Sequence, residues 1–265
     1  MDNKATFLLD NVYQGDCLEL MKQLASGTMD LTLTSPPYDN LRTYNGYTFD
    51  LDGIANELFR ITKEGGVVVW VVKDQTIDGS ETCTSFKQAI KFKEVGFNLH
   101  DTLIWLKDCF SYPDATRYRD VFEYMFCFSK GKPKTINLIE DRINKYAGTR
   151  VHGTSRNPDG TTFRKSNHNK TNVKDVGVRY NVWEISNEKN NIYGHPAVFP
   201  EKLAHDHILS WSNERDVVLD PMCGSGTTLK MAKHLNRRFI GFDISQEYVN
   251  IANKRLCQQV MADFA

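Results

Sequence analysis

Val217-Val218-Leu219-Asp220-Pro221-Met222-Cys223-Gly224-Ser225-Gly226-Thr227-Thr228 reads as a strand, a glycine turn and the start of a helix. Gly224 and Gly226 let the backbone pass close to a ligand, and the new helix offers N–H groups to it. An amphipathic helix, Thr228 to Leu235, follows. The next strand, Phe239-Ile240-Gly241-Phe242, ends in Asp243. An acid at the end of the second strand of a βαβ unit is placed to hydrogen-bond ribose hydroxyls. The dinucleotide fingerprint carries a third glycine, whereas Thr227 and Thr228 follow Gly226 here. The loop therefore suits a nucleoside without phosphates.

Far upstream, Leu31-Thr32-Leu33-Thr34-Ser35-Pro36-Pro37-Tyr38 is an apolar run that ends in a hydroxyl, two prolines and an aromatic ring. Prolines cannot continue a ladder, because each lacks a backbone N–H. They also hold Ser35 extended, since the residue before proline is pushed out of the α region. The result is a stiff corner presenting the Ser35 hydroxyl, unclaimed carbonyls and the face of Tyr38. Such a set accepts hydrogen bonds from an amino group while stacking a planar ring.

Together, T-S-P-P-Y at residues 34–38 and D-P-M-C-G-S-G-T at 220–227 resemble the amino-group DNA methyltransferases that use S-adenosylmethionine. That family carries [DNS]-P-P-[YFW] as its catalytic motif and D-P-F-x-G-S-G-T as its cofactor loop. Met222 is the one departure in the loop. The catalytic motif comes first and the cofactor loop last, an order that resembles the permuted β group. Trp105-x-Lys107, Arg117-x-Arg119-Asp120-x-x-Glu123-Tyr124, Phe128-Ser129-Lys130-Gly131 and His195-Pro196-Ala197-x-Phe199-Pro200-Glu201-x-Leu203 are similar to further segments of that family.

The resemblance implies a Rossmann-like α/β methyltransferase fold with circularly permuted motif order. Catalytic roles fall on Ser35, Pro36, Pro37 and Tyr38. Cofactor contacts fall on Asp16, Thr34, His195, Pro196, Asp220, Pro221, Cys223, Gly224, Ser225, Gly226, Thr227 and Asp243. The implied cofactor is S-adenosyl-L-methionine and the implied partner double-stranded DNA. A homodimer and a cognate restriction endonuclease are left open. The place implied is the cytoplasm, on the nucleoid of a prokaryote or encoded by a phage.

Composition sets the bounds. The 265 residues suit one α/β domain, alone or with an insertion. Thirty-three basic side chains balance 33 acidic ones, so a basic patch for nucleic acid must be local. Six cysteines form no C-x-x-C pair and no metal spacing with histidine, which reads as reduced thiols and no metal site. No signal peptide is read at the N-terminus, and no apolar run approaches a membrane span.

Taken in order, Phe7 to Tyr13 reads as a strand, and Asp16 as the cap of a helix over Leu18 to Ala25. Residues 39–47, with Arg42 and Tyr44, are too polar for core and read as a loop over the site that contacts DNA. A helix over Leu51 to Ile61 stops at Lys63-Glu64-Gly65-Gly66, and Val67 to Val72 is an apolar run expected of a central parallel strand. Ser85 to Val95 is a helix, and Phe97 to Leu106 with Glu123 to Gly131 a hairpin closing the sheet edge. A helix over Lys202 to Trp211 leads into strand Asp216 to Leu219. The final helix, Gln246 to Gln258, turns Tyr248, Ile251, Ala252 and Leu256 to the core. Seven strands result, mostly parallel, with one antiparallel edge strand.

Between about Asn137 and Tyr180 the periodicity disappears. Residues 141–180 hold nine basic side chains against three acidic ones, with amides suited to base edges. This irregular basic insertion, 137–180, reads as the target-recognition region between catalytic segments 1–136 and 181–265. Arg156, Arg164, Lys165, Asn167 and Lys170 are its candidate DNA contacts.

The chemistry expected is transfer of a methyl group to the exocyclic amine of a flipped-out base. No P-C dipeptide is present to supply the thiol that carbon-5 methylation needs. In the family, serine at the first motif position goes more often with cytosine N4 and aspartate with adenine N6, so cytosine is favoured and adenine is the alternative. More distant alternatives are an RNA or protein-amide methyltransferase and a non-catalytic DNA-binding module.

Overall fold

The computed structural model describes residues 7–37, 49–109, 115–187 and 200–257. The chain forms β1 (Asn11–Gln14), α1 (Cys17–Gln23), β2 (Met29–Thr34), α2 (Leu51–Ile61), β3 (Thr62–Val72), β4 (Thr76–Ile77), β5 (Ser80–Glu81) and α3 (Thr84–Val95). Next come β6 (Asn98–Leu106), β7 (Phe122–Ser129), β8 (Glu140–Ile143), β9 (Thr154–Arg156), β10 (Thr162–Arg164), β11 (Val176–Val178) and β12 (Val182–Glu184). The chain continues with α4 (Glu201–Trp211), β13 (Val217–Asp220), α5 (Thr227–His234), β14 (Arg238–Asp243) and α6 (Gln246–Leu256). Two compact units result, 1–137 with 181–265, and 138–180.

In the first unit the sheet runs β1-β14-β13-β2-β3-β7-β6-β12. All neighbours are parallel except β7, which runs against both β3 and β6. Its middle is apolar on both faces, because a parallel sheet covered twice has no wet side. Val67, Val69 and Val71 of β3 pack with Leu203, Ile208 and Trp211 of α4 and Leu229 of α5. Val68, Trp70 and Val72 pack on the other face with Ile54 and Leu58 of α2 and Phe92 of α3.

Three expectations about the sheet change. The sheet has eight strands rather than seven, the eighth being β12. Only Trp183 of its three residues is buried, too short a run to show a period. With β12 against β6, the antiparallel strand is interior and the hairpin does not close the edge. Lys63 to Gly66, read as a helix stop, opens β3 instead.

The segment 138–180 is not irregular. It holds two antiparallel ribbons, β8 with β11 and β9 with β10. Strands of three or four residues are too short to show a period, and their apolar members Ile143, Phe163, Val176 and Val178 are exposed.

Among the described residues, no helix is long and apolar enough to cross a membrane.

Candidate active site

Four neighbouring strands deliver the site residues at their carboxyl ends. β1 leads to Asp16, β14 ends in Asp243, β13 ends in Asp220, and β2 leads to Ser35. From β13 the chain passes to β14 on one side, and from β2 to β3 on the other. The crevice between β13 and β2 is thus the switch point where ligands of open α/β sheets bind.

The junction across that crevice is a side-chain bond. The Thr34 hydroxyl donates to Asp220 Oδ1 at 2.8 Å, both groups being buried. The Met222 N–H reaches the same oxygen at 3.2 Å. Burial lifts the Asp220 carboxyl to about 6, against the downward pull of Thr228, Thr34 and the Met222 N–H. The Thr228 hydroxyl also donates to the Leu33 carbonyl at 3.3 Å, so the helix after the loop is tied to the S-P-P strand.

The glycine loop is built for close approach. Gly224 and Gly226 sit at φ +49° and +80°, the left-handed region that favours glycine. A Cβ on Gly226 would meet the Ala252 Cβ at 2.9 Å, so α6 packs hard behind the loop. Gly226 caps α5 without a side-chain bond, leaving the helix end to be met by a ligand. Asp243 braces this loop. Its Oδ2 accepts the Gly224 N–H and its Oδ1 the Ser245 N–H, each at 2.8 Å. Burial raises its carboxyl above the usual range against those two bonds. The Gly15 N–H donates to the Asp243 carbonyl at 2.9 Å, which sets Asp16 beside it. Asp16 Oδ1 accepts the Glu19 N–H at 2.8 Å and caps α1. Asp16 and Asp243 supply acceptors for amine and hydroxyl groups, and the loop supplies N–H donors. That donor set fits an uncharged-sugar nucleoside.

Neither Cys223 nor Cys17 has a nucleophilic setting. Cys223 is buried in the loop, and burial, then Asp220 and Asp243, push its thiol well above the ordinary value. Cys17 is pushed up to about 12, chiefly by burial.

Arg255, Glu201 and Thr228 were not singled out as site-supporting residues by the sequence reading. Arg255 is 2 % exposed, and α6 turns Val249, Ala252, Arg255 and Leu256 inward while Tyr248 and Ile251 are half-buried. Its guanidinium donates to the Ser225 carbonyl at 3.0 Å, Ser225 Oγ at 2.7 Å and Thr227 Oγ1 at 3.0 Å. It also donates to Glu201 Oε1 at 2.8 Å, which Lys230 shares at 2.7 Å. The signal was a charge on an apolar stripe, spaced three residues from Ala252.

Ser35 and Pro37 are half-buried and Pro36 is buried at the end of β2. Pro221, Ser225 and Thr227 lie in or beside the loop. Arg156, Arg164, Lys165, Asn167 and Lys170 are exposed in the second unit. Tyr38, Arg42, Tyr44, His195 and Pro196 lie outside the described residues.

Residues 29–254 match the N6/N4 DNA methylase family. The orphan methyltransferase M.BamHII of Bacillus amyloliquefaciens is 57% identical over 246 residues, covering 89% of this chain and 92% of that one. Of solved structures, the PvuII DNA methyltransferase (cytosine-N4-specific) aligns with a TM-score of 0.69 at 23% identity, over 95% of this chain and 87% of that one. The M1.HpyAVI–SAM complex aligns at 0.63 and 23% identity, over 94% and 99%. At those identities the two structures establish the fold alone. The chain belongs to the amino-group (N6/N4) DNA methylase family, whose methyl donor is S-adenosylmethionine.

Proposed function

We propose that this protein methylates the exocyclic amine of a base flipped out of double-stranded DNA, cytosine N4 by preference. The observation that carries this reading is the Thr34–Asp220 bond. It joins the strand ending in S-P-P to the strand ending in the glycine loop, across 186 residues of sequence. When bound, S-adenosylmethionine supplies an activated methyl on a sulfonium, so the protein's task is positioning and electrostatics.

Ser35 and a carbonyl of the Pro36 corner take the two amine hydrogens. An exocyclic amine has its lone pair delocalised into the ring, and two such bonds favour a tetrahedral nitrogen. The freed lone pair then points across the crevice to the glycine loop. Tyr38 gives the extruded base a stacking face. Asp16 and Asp243 hold the nucleoside end of the donor, and Arg255 fixes the loop from behind. Segment 138–180, with nine basic side chains against four acidic ones, contacts the duplex.

Cytosine is placed before adenine on the family's pairing of serine at the first motif position with cytosine; both bases carry a ring nitrogen beside the amine, and a hydroxyl adapts as donor or acceptor to either. The test is a Ser35→Ala variant assayed on duplex DNA. Turnover should fall with little change in cofactor affinity, since the bond matters at the reacting amine. Unchanged turnover would refute the assignment of Ser35.

A further inference from the structure

Within the second unit the antiparallel pairings are nested. Arg142 pairs with Gly177, Arg150 bridges Asn172, and Arg164 and Arg156 pair with Thr154 and Thr162. The innermost ribbon turns at Asn157-Pro158-Asp159-Gly160, where Gly160 sits at φ +88°. The Asn157 N–H donates to the Thr161 carbonyl at 2.7 Å and the Gly160 N–H to the Asn157 carbonyl at 2.9 Å. Asp159 Oδ1 accepts both the N–H and the hydroxyl of Thr161, at 2.9 and 2.6 Å. The tip is therefore held in one shape by its own short-range bonds.

Side chains alternate along a strand, and cross-strand partners share a face. Thr154, Arg156, Thr162 and Arg164 thus lie on one face of the β9–β10 ribbon, and Ser155 and Phe163 on the other. All four members of the first face are exposed. Arg156 Nε donates to the Gly160 carbonyl at 3.2 Å, which sets the plane of its guanidinium.

A two-stranded ribbon fits the major groove of duplex DNA, and an arginine fork matches the O6 and N7 of guanine. Phosphate contacts carry no sequence information, so a loss confined to single base positions is what marks base readout. We propose that the β9–β10 ribbon enters the major groove and that Arg156 and Arg164 each recognise a guanine of the methylation site. This rests on the reading of the chain as a DNA methyltransferase.

The test is to methylate a randomised duplex library with S-adenosylmethionine and sequence the modified sites. Wild type is compared with Arg156→Ala and Arg164→Ala, with cofactor affinity by calorimetry as the control for folding. The wild-type site should contain guanines. Each alanine variant should lose selectivity at one of them by about tenfold. Selectivity at the other positions should be kept, and cofactor affinity should stay constant. A uniform loss on all sequences would mean phosphate contact and would overturn the inference. So would an unchanged site in both alanine variants, or a wild-type site without guanine. If wild type modifies no duplex DNA, the proposed function itself fails, a result distinct from all of these.

Discussion

The Thr34 hydroxyl donates to the Asp220 carboxylate at 2.8 Å, in a buried position where two parallel strands end side by side. The bond links the S-P-P corner to the glycine loop without any intermediary. Thr34→Val keeps the shape and removes the donor. It should lower the unfolding free energy by about 1–3 kcal/mol, the cost of leaving a buried acceptor short of a partner. Turnover should fall severalfold as Ser35 loses its fixed neighbour. Urea unfolding and a methylation assay on the same preparation check both.

Asp220 also sets a pH dependence. Its folded value, about 6, lies above the unfolded value near 3.9, chiefly through burial. The neutral form is thus favoured by folding. That stabilisation is fully present below the unfolded value and is lost as pH rises through about 6. Its total size is about 3 kcal/mol. Asp220→Asn removes the titration, so the variant should gain stability relative to wild type between pH 5 and pH 7.5. Denaturant midpoints of the two proteins at both pH values give the answer; a constant difference would remove Asp220 as the source.

The proposed function gives Asp243 two tasks, bracing the loop and holding the cofactor, and two substitutions separate them. Asp243→Ala leaves the Gly224 and Ser245 N–H groups without their acceptor, and on the proposed function it removes a ligand contact as well. Asp243→Asn keeps one acceptor for the loop. Cofactor affinity by calorimetry should fall at least about tenfold in the alanine variant, roughly the 1.4 kcal/mol of one good hydrogen bond to a charged group. The asparagine variant should fall between it and wild type. Equal affinity in all three would remove Asp243 from the cofactor site.

Arg255 is the support behind the loop. Arg255→Met should cost about 3 kcal/mol, the lower part of the range for breaking a buried pair, because Glu201 keeps Lys230. The loop would lose its hold on the Ser225 carbonyl, so KM for the cofactor should rise more than kcat falls. Steady-state kinetics read that split.

The strong periods and the two motifs were legible in the sequence. Val67 to Val72 is apolar without a break, and β3 lies at the centre of the sheet because no residue there tolerates water. Leu51 to Ile61 was bounded correctly by its own apolar spacing, with Asp50 capping it through the Gly53 N–H. Trp183 was not legible as a strand, since one buried residue in three shows no period. Asn157-Pro158-Asp159-Gly160 is a hairpin turn signal, but the strands beside it are three residues each, with Phe163 their one large apolar side chain, which is too short to show a period. The reach of Arg255 to Ser225 depends on how α6 lies behind the loop, and no local pattern encodes that.

The most direct test of the account is mass spectrometry of nucleosides from duplex DNA incubated with this protein and S-adenosylmethionine, with Ser35→Ala in parallel. The account predicts N4-methyldeoxycytidine from wild type and a strong reduction from the variant. N6-methyldeoxyadenosine alone would contradict the base assignment. 5-Methyldeoxycytidine, or the same yield from Ser35→Ala, would contradict amine methylation at the S-P-P corner.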